Sequence, residues 1–190
     1  FFSSRRRHTR CSGVSWARPI LDLARDKQAD FLRRSFQLPL AQVDSLRCEE
    51  VLDKPLPEMH IRASITALRY ANKTGSRLFV PVAPLRSGPG RFTTERRHDL
   101  WIDKGYCDTD SLTLHLPEGY VVEALPKSVT IENRFGKVAF EALCSGDRLH
   151  IRIRLLRRSG RYPQSEYAAF REFMQAVDRV YSAKIVLRKV

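Results

Sequence analysis

The regular spacing of short alternating segments in the second half of the chain most constrains its fold. Ser111 to Leu116 alternates apolar and polar residues, and similar segments follow as far as Leu156. Turn-forming residues separate them, including Pro117-Glu118-Gly119-Tyr120 and Ser145-Gly146-Asp147. A run of about five such strands is typical of an antiparallel sandwich. The strands predicted here are Ser111–Leu116, Tyr120–Leu125, Val129–Asn133, Lys137–Cys144 and Arg148–Leu156.

Two of these connections make specific predictions about pairing. The turn at Pro117 to Tyr120 predicts that Tyr120–Leu125 pairs back on Ser111–Leu116 as a hairpin. The turn at Ser145 to Asp147 predicts a second hairpin, between Lys137–Cys144 and Arg148–Leu156.

Helices are predicted at both ends of the strand-rich region. Pro19–Leu38 has apolar residues at helical spacing and precedes a proline, so we expect one amphipathic helix there. Ser165 is predicted to cap a C-terminal helix, which Lys184–Val190 follows as a final strand. The apolar face of that helix contains Tyr167, Phe170, Phe173, Met174, Val177, Val180 and Tyr181. The predicted fold class is mainly β: an antiparallel sandwich with an N-terminal helix and a C-terminal amphipathic helix.

The first half of the chain contains further strand signals. Val43–Val51, Met59–Ala67 and Arg77–Val82 are predicted strands, and Arg86–Arg91 is a predicted flexible loop because of its glycine and proline content. We therefore divide the chain into a helix plus β-rich connector at residues 19–104 and a C-terminal sandwich module at residues 105–190.

Residues 1–18 carry a different signal. Back-translated, Ser3 to Arg10 resembles a short-read sequencing adapter and Val14 to Arg18 resembles a transposase adapter, in one reading frame. We expect this segment to be artefactual and exclude it from the fold prediction. The formal net charge of +13 then falls to +8, because five arginines and no acidic residue are removed. The remaining charge is a weaker argument for a nucleic-acid partner.

Cys107, Asp110 and His115 supply the three residue types of a thiol triad. A nucleophilic thiolate needs a lowered pKa and a histidine brought in from elsewhere in the fold. Here Cys107 precedes a strand that contains His115, so we interpret the two as a linker cysteine and a solvent-facing histidine. Cys48 with His60 has even less support. Cys144 is interpreted as a small, partly buried apolar residue.

Metal and cofactor sites are not predicted either. The histidines at positions 60, 98, 115 and 150 lie tens of residues apart, and the chain has no Cys-x-x-Cys motif. We expect each histidine to lie at the surface. No catalytic, cofactor-binding or metal-binding residue is therefore assigned, and no cofactor is expected.

The stretch Arg148–Arg161 contains six arginines and no acidic residue. On a strand, alternation puts Arg148, His150, Arg152 and Arg154 on one face, and the aliphatic residues between them on the other. The preferred interpretation is a solvated face that protects the sheet from aggregation. The alternative is a basic binding module for an anionic polymer, either nucleic acid or an envelope glycan.

Several motifs give the chain a resemblance to a known family. Asp110-Ser111-Leu112 is followed by Leu116-Pro117-Glu118-Gly119-Tyr120, Val122-Glu123-Ala124-Leu125-Pro126, Phe135-Gly136, Ser159-Gly160-Arg161-Tyr162-Pro163 with Tyr167, Phe170 and Phe173, and Lys184-Ile185-Val186-Leu187. Upstream lie Gly75-Ser76-Arg77-Leu78-Phe79-Val80-Pro81 and Arg96-Arg97. In order and spacing, these resemble a domain of unknown function at the C-terminal end of secreted bacterial transglutaminase-like superfamily proteins.

The resemblance implies a role and a compartment. In that family a leading β-domain and a core with a Cys, His, Asp triad precede the C-terminal module, so we expect the core upstream of Pro19. The implied function is non-catalytic: packing on, or orienting, that core or its partner. The implied partners are the core and a protein or peptide substrate. Nucleic acid is not the expected partner, and no transmembrane segment is predicted. The implied location is periplasmic or extracellular, without a signal peptide in these residues.

Overall fold

The computed structural model describes residues 2–10, 23–24, 26–30, 41–51, 58–84, 92 and 95–190. In these residues the chain is mainly β, and all the strand pairings are antiparallel. The strands are β1 Phe2–Arg10, β2 Ala41–Val51, β3 Glu58–Ala67, β4 Asn72–Thr74, β5 Arg77–Pro81, β6 Leu100–Ile102, β7 Tyr106–His115, β8 Tyr120–Ala124, β9 Val129–Asn133, β10 Gly136–Ser145, β11 Arg148–Arg157, β12 Gly160–Tyr162 and β13 Lys184–Lys189.

Helices lie near both ends, as predicted. Residues 26–30 are helical, within the predicted helix Pro19–Leu38, whose remaining residues lie largely outside the described part of the chain. The C-terminal helix spans Tyr167–Tyr181 and follows a short 3-10 helix, Gln164–Glu166. The predicted loop Arg86–Arg91 lies outside the described residues.

The chain divides into two compact units. The larger unit contains residues 1–11, 71–83 and 89–190, and the smaller contains residues 12–70 and 84–88. Within the smaller unit, β2 and β3 form an antiparallel hairpin with a register shift between Val43 and Ser45. Both strands were predicted, the second of them from alternation.

The larger unit contains a five-stranded sheet with the order β1-β7-β11-β10-β9. The predicted hairpin of β10 and β11 is confirmed, with Ser145 opposite Arg148 at its turn. Gly146 in that turn has a φ of 59°, a left-handed conformation that glycine adopts at low cost. β9 also pairs with β10. At the end of β9, the side-chain oxygen of Asn133 accepts a hydrogen bond from the amide of Phe135 at 3.0 Å.

The predicted hairpin between Ser111–Leu116 and Tyr120–Leu125 is wrong. β8 instead pairs with β13 in a four-stranded sheet with the order β4-β5-β13-β8. β7 starts five residues earlier than predicted and pairs with β1 on one side and β11 on the other, so neither of its edges is open to β8. The Pro117–Tyr120 turn therefore carries the chain from one sheet to the next.

The core is built from one face of each sheet, in a sandwich-like arrangement. On β11 the inward residues are at most 6% exposed, and alternate with exposed polar residues. The four-stranded sheet contributes residues such as Ile185 and Leu187. The C-terminal helix buries one face, as predicted, and its buried residues are Tyr167, Phe170, Phe173, Ala176, Val177, Val180 and Tyr181.

The predicted Ser165 cap is wrong. Ser165 lies inside the 3-10 helix, and the N-cap residue is Glu166, which makes no side-chain capping hydrogen bond. The chain enters the helix through this extra turn, so the capping position shifts one residue along.

An aromatic cluster joins the start of β10 to the C-terminal helix. The Phe135 ring lies 4.8 Å from the Tyr162 ring and 5.5 Å from the Phe170 ring, centroid to centroid. Gly136 follows, and a Cβ atom there would lie 2.0 Å from the carbonyl oxygen of Leu156. Only glycine allows this close approach of β10 to β11.

Candidate functional site

β7 separates the residues of the candidate thiol triad. Its burial pattern alternates, with Asp108 and Asp110 on the buried face and Cys107 and His115 on the other. Eight residues at about 3.4 Å each put Cys107 and His115 roughly 27 Å apart along the strand. Asp110 lies on the opposite face from both. The three residues do not form a triad. The interpretation of Cys107 as a linker cysteine is wrong, because Cys107 lies on β7 itself and is half-buried, whereas His115 is exposed as expected.

Cys48 and His60 lie on the hairpin of β2 and β3. The register pairs Cys48 with Ile61 and Glu49 with His60. Neighbouring positions of a strand point to opposite faces, so the thiol and the imidazole are on different sides of the hairpin. Burial raises the pKa of the Cys48 thiol, which disfavours the thiolate that a nucleophile needs.

The prediction that Cys144 is partly buried is wrong. Cys144 is exposed near the β10–β11 turn, where its thiol lies 3.7 Å from the carbonyl oxygen of Gly146. This end of β10 projects from the apolar layer, since the neighbouring Leu143 is 70% exposed.

The histidines do not gather into a metal site. In the part of the chain that the structure describes, no three His, Cys, Asp or Glu side chains could share an ion. His98, His115 and His150 are exposed as predicted, while His60 is half-buried. The Nδ1 atom of His150 lies 3.2 Å from the Thr113 hydroxyl on the next strand.

The outer face of β11 presents the predicted basic stripe. Arg148, His150, Arg152 and Arg154 are exposed and alternate with buried Leu149, Ile151, Ile153 and Leu155. We call these four residues the β11 stripe. Glu141 on β10 lies opposite Arg152 and offsets part of the positive charge of the stripe. Arg154 has Thr109 on one side and Ala139 on the other.

The other arginines of the Arg148–Arg161 stretch do not belong to the β11 stripe. Arg157 stacks on the Tyr106 ring at 5.7 Å from its centroid. Arg158 donates to a Glu132 carboxylate oxygen at 2.9 Å and to the Asn133 carbonyl. Arg161 lies on β12, in the two-stranded sheet with β6. The basic surface is therefore smaller than the sequence stretch suggests.

Arg158 and Lys137 hold Glu132 in a small ion cluster. The Lys137 ammonium lies 2.9 Å from one Glu132 oxygen, and the Arg158 guanidinium lies 2.9 Å from the other. Hydrogen bonds from Lys137 first, and then from Arg158, lower the pKa of Glu132 below its ordinary value of 4.5. The cluster ties β9, β10 and the end of β11 together.

The most unusual polar feature is the buried carboxylate pair on the inner face of β7, Asp108 and Asp110. They are 6% and 9% exposed. The register places them beside Leu155 and Ile153 of β11, in a layer of buried apolar residues. Alternation could have revealed them, because Asp108 and Asp110 lie at even spacing from Leu112 and Leu114 and therefore share their inward face. The sequence prediction started the strand at Ser111, so it missed these two inward positions.

Fold and site together define a mainly β, antiparallel module, whose distinctive residues build turns, close approaches and packing. The chain belongs to the family described as Domain of Unknown Function with solved-structure structure (DUF3858), whose family model matches residues 76–187. That match begins at the start of β5 and ends within β13. No curated protein and no solved structure matches the chain.

Among the described residues, no helix combines the length and the apolar composition that a membrane crossing requires. The five-stranded and four-stranded sheets, both in the larger unit, contain most of the family match.

Proposed function

We propose that the chain is the non-catalytic C-terminal β module of a transglutaminase-like protein, which packs on or orients the catalytic core or its partner. Periplasmic or extracellular location is part of this proposal. It rests on the order and spacing of the motifs quoted above, together with the family match over residues 76–187.

The structural role of the motif residues carries the proposal. Phe135 is 2% exposed and contacts the Tyr162 and Phe170 rings, while Gly136 permits the approach to Leu156. Pro117–Tyr120 makes the connection between the two sheets. Residues that mark the module therefore act through packing and backbone geometry, which is what an orienting domain requires.

The test begins with the coding sequence upstream of Pro19. We expect it to encode a core with Cys, His and Asp in triad arrangement. The longer protein is then compared with and without residues 76–187, by melting temperature of the core and by amidase or acyl-transferase activity. Loss of the module should lower both. An upstream sequence without such a core, or a core indifferent to the module, would contradict the proposal.

Thiol-specific labelling tests the alternative that this chain is itself an enzyme with Cys107 as its nucleophile. Thiol-specific labelling of this chain should modify exposed Cys144 without removing any amidase or transferase activity. An activity of this chain that disappears on labelling, and survives in Cys144→Ser but not in Cys107→Ser, would assign catalysis to Cys107 instead.

One observation favours a second candidate function, binding of an anionic polymer. Three arginines of the β11 stripe point to solvent from a single strand face. Binding to heparin should weaken as salt rises, because each arginine that contacts an anionic group releases counterions from the polymer. Arg152→Ala should reduce that salt dependence, whereas Arg161→Ala, on another sheet, should not. A chain that does not bind heparin at low salt rules this function out.

A further inference from the structure

Trp101 on β6 is the most exposed aromatic residue in the part of the chain that the structure describes. It is 69% exposed. Phe92 is 37% exposed, and its ring packs edge-on against Phe170 with 5.7 Å between the centroids. The Trp101 ring therefore leaves a large apolar area in water, and covering that area would stabilise a complex.

The two-stranded sheet of β6 and β12 holds Trp101 beside an arginine. Leu100 and Ile102 are buried, so Trp101 between them points to solvent. The register places Arg161 opposite Trp101 and the buried Tyr162 opposite Leu100. Arg161 therefore points outward on the same side as Trp101, with its Cβ atom about 5 Å away. We call Trp101 and Arg161 the ribbon face.

The two strands of the ribbon are fixed at both ends. A Cβ atom on Gly105, after β6, would lie 2.8 Å from the carbonyl oxygen of Arg157, so the two backbones are in close contact there. At the other end, the backbone amide of Gln164 donates to a carboxylate oxygen of Asp99 at 3.1 Å, and its side-chain amide donates to the carbonyl oxygen of Arg96 at 2.7 Å. The ribbon face is thus held in place before any partner binds, which lowers the entropic cost of binding.

The guanidinium of Arg161 is available to a partner. Arg134 and Arg158, which lie nearby in sequence or structure, form ion pairs with Glu166 and Glu132. Arg161 is exposed and forms no ion pair with a residue that the structure describes. A guanidinium binds a carboxylate through two parallel hydrogen bonds. Tryptophan and arginine are also the residue types most enriched among those that dominate the energy of protein interfaces.

We propose that the ribbon face is the contact through which the module docks on the catalytic core, and that the core presents a carboxylate beside an apolar side chain there. This inference rests on the proposed function and adds the surface that makes the contact. The ribbon face lies within the larger unit and within the family match over residues 76–187.

Charge complementarity decides the chemistry of the partner surface. An apolar side chain of the core covers the Trp101 ring and excludes water from it, and the carboxylate pairs with Arg161. A neutral or basic surface would remove water from the guanidinium without replacing its hydrogen bonds, which is costly. The apolar contact thus supplies affinity, and the ion pair sets the orientation of the module.

The first experiment uses the longer protein that contains the core. The melting temperature of the core is measured with residues 76–187 present and removed, and the difference measures the stabilisation by the module. Trp101→Ala and Arg161→Glu should each remove at least half of this difference. The matched controls are Leu143→Ala and Arg152→Glu, which change an exposed apolar residue and an exposed arginine of the five-stranded sheet. Each control should remove less than a tenth of the difference.

The outcomes separate this inference from the proposed function. A core that the module stabilises, but that is indifferent to Trp101→Ala and Arg161→Glu, would overturn the docking contact and leave the proposed function standing. Equal losses from the two controls would also overturn it, because any surface change would then have the same effect. A core that is indifferent to removal of residues 76–187 contradicts the proposed function, and the docking contact fails with it.

A second measurement requires no substitution at the ribbon face. Tryptophan is replaced by fluorotryptophan, and the fluorine NMR signal of Trp101 is assigned by its loss in Trp101→Phe. The shift of this signal between light and heavy water reports solvent contact, and it should be at least twofold smaller in the longer protein than in this chain. Arg161→Glu should restore it. An equal shift in both proteins would overturn the proposal. A shift that falls in this chain alone as its concentration rises would assign the ribbon face to a second copy and overturn it as well.

Discussion

β11 and β7 are neighbours in one sheet, yet their inward faces differ. On β11 every inward position is aliphatic, from Leu149 to Leu155. On β7 the inward face is aliphatic only at Leu112 and Leu114, and then becomes acidic at Asp110 and Asp108. β11 lies between β7 and β10, while β7 lies between β11 and β1.

The difference shows where the sheet gains its stability. Burial of apolar side chains stabilises the folded state, at about 25 cal/mol per Å². A buried carboxylate loses its hydration, so it contributes less to stability than an aliphatic side chain in the same layer. Stability is thus concentrated on the β10–β11 side of the sheet.

The largest expected effect lies where β10 approaches β11. Gly136→Ala places a Cβ atom 2.0 Å from the Leu156 carbonyl oxygen, which forces the two strands apart. We expect a loss of about 4 kcal/mol in the free energy of unfolding, measured by urea denaturation. Gly146→Ala is the matched control, because its Cβ meets nothing within 4 Å and only the positive φ is unfavourable. It should cost about 1 kcal/mol. Equal losses would contradict the close-approach account.

A cavity among the buried aliphatic residues of β11 should lower the free energy of unfolding by somewhat less than Gly136→Ala does. Ile153 is 1% exposed, so Ile153→Ala should lower the free energy of unfolding by about 3 kcal/mol. The control is the adjacent exposed residue, since Arg152→Ala should change stability by less than about 0.5 kcal/mol. If Arg152→Ala proved as costly as Ile153→Ala, the assignment of stability to the inner face would be wrong.

The smallest stability effect concerns the ion cluster at β9. The neighbouring cations lower the pKa of Glu132, so its ionised form stabilises the folded state above the ordinary pKa of 4.5. That contribution is lost as pH falls through the lowered pKa. The stability difference between wild type and Glu132→Gln should therefore be constant from pH 7 to about 5 and shrink below about pH 4. Glu118→Gln, in the exposed Pro117–Tyr120 turn, provides the control. A difference that grows on acidification would contradict this sign.

Local patterns predicted much of this fold. Strand signals located β2, β3, β5 and the β9–β10–β11 meander, and helical spacing identified most of the buried face of Tyr167–Tyr181, although Met174 is only half-buried. Strand pairing was harder, because the Pro117–Tyr120 turn has the same chemistry whether it closes a hairpin or connects two sheets. β1 and β11 occupy the two edges of β7 and so exclude β8, which is a tertiary effect that no local pattern contains.

The sequence predicted the candidate site less well than it predicted the fold. Arg158 looked like part of a basic surface, but its contacts with Glu132 and Asn133 depend on strands that are distant in sequence. Asp110 was considered only as a possible residue of the thiol triad, and the register with β11 shows that Asp108 and Asp110 share a layer with Ile153 and Leu155.

The central claim is that this module stabilises and orients a catalytic core, and comparison of the longer protein with and without residues 76–187 tests it most directly. The melting temperature of the core and its amidase or acyl-transferase activity are measured in both forms. The account predicts that both fall when the module is removed. A core with the same melting temperature and the same activity in both forms would contradict the claim.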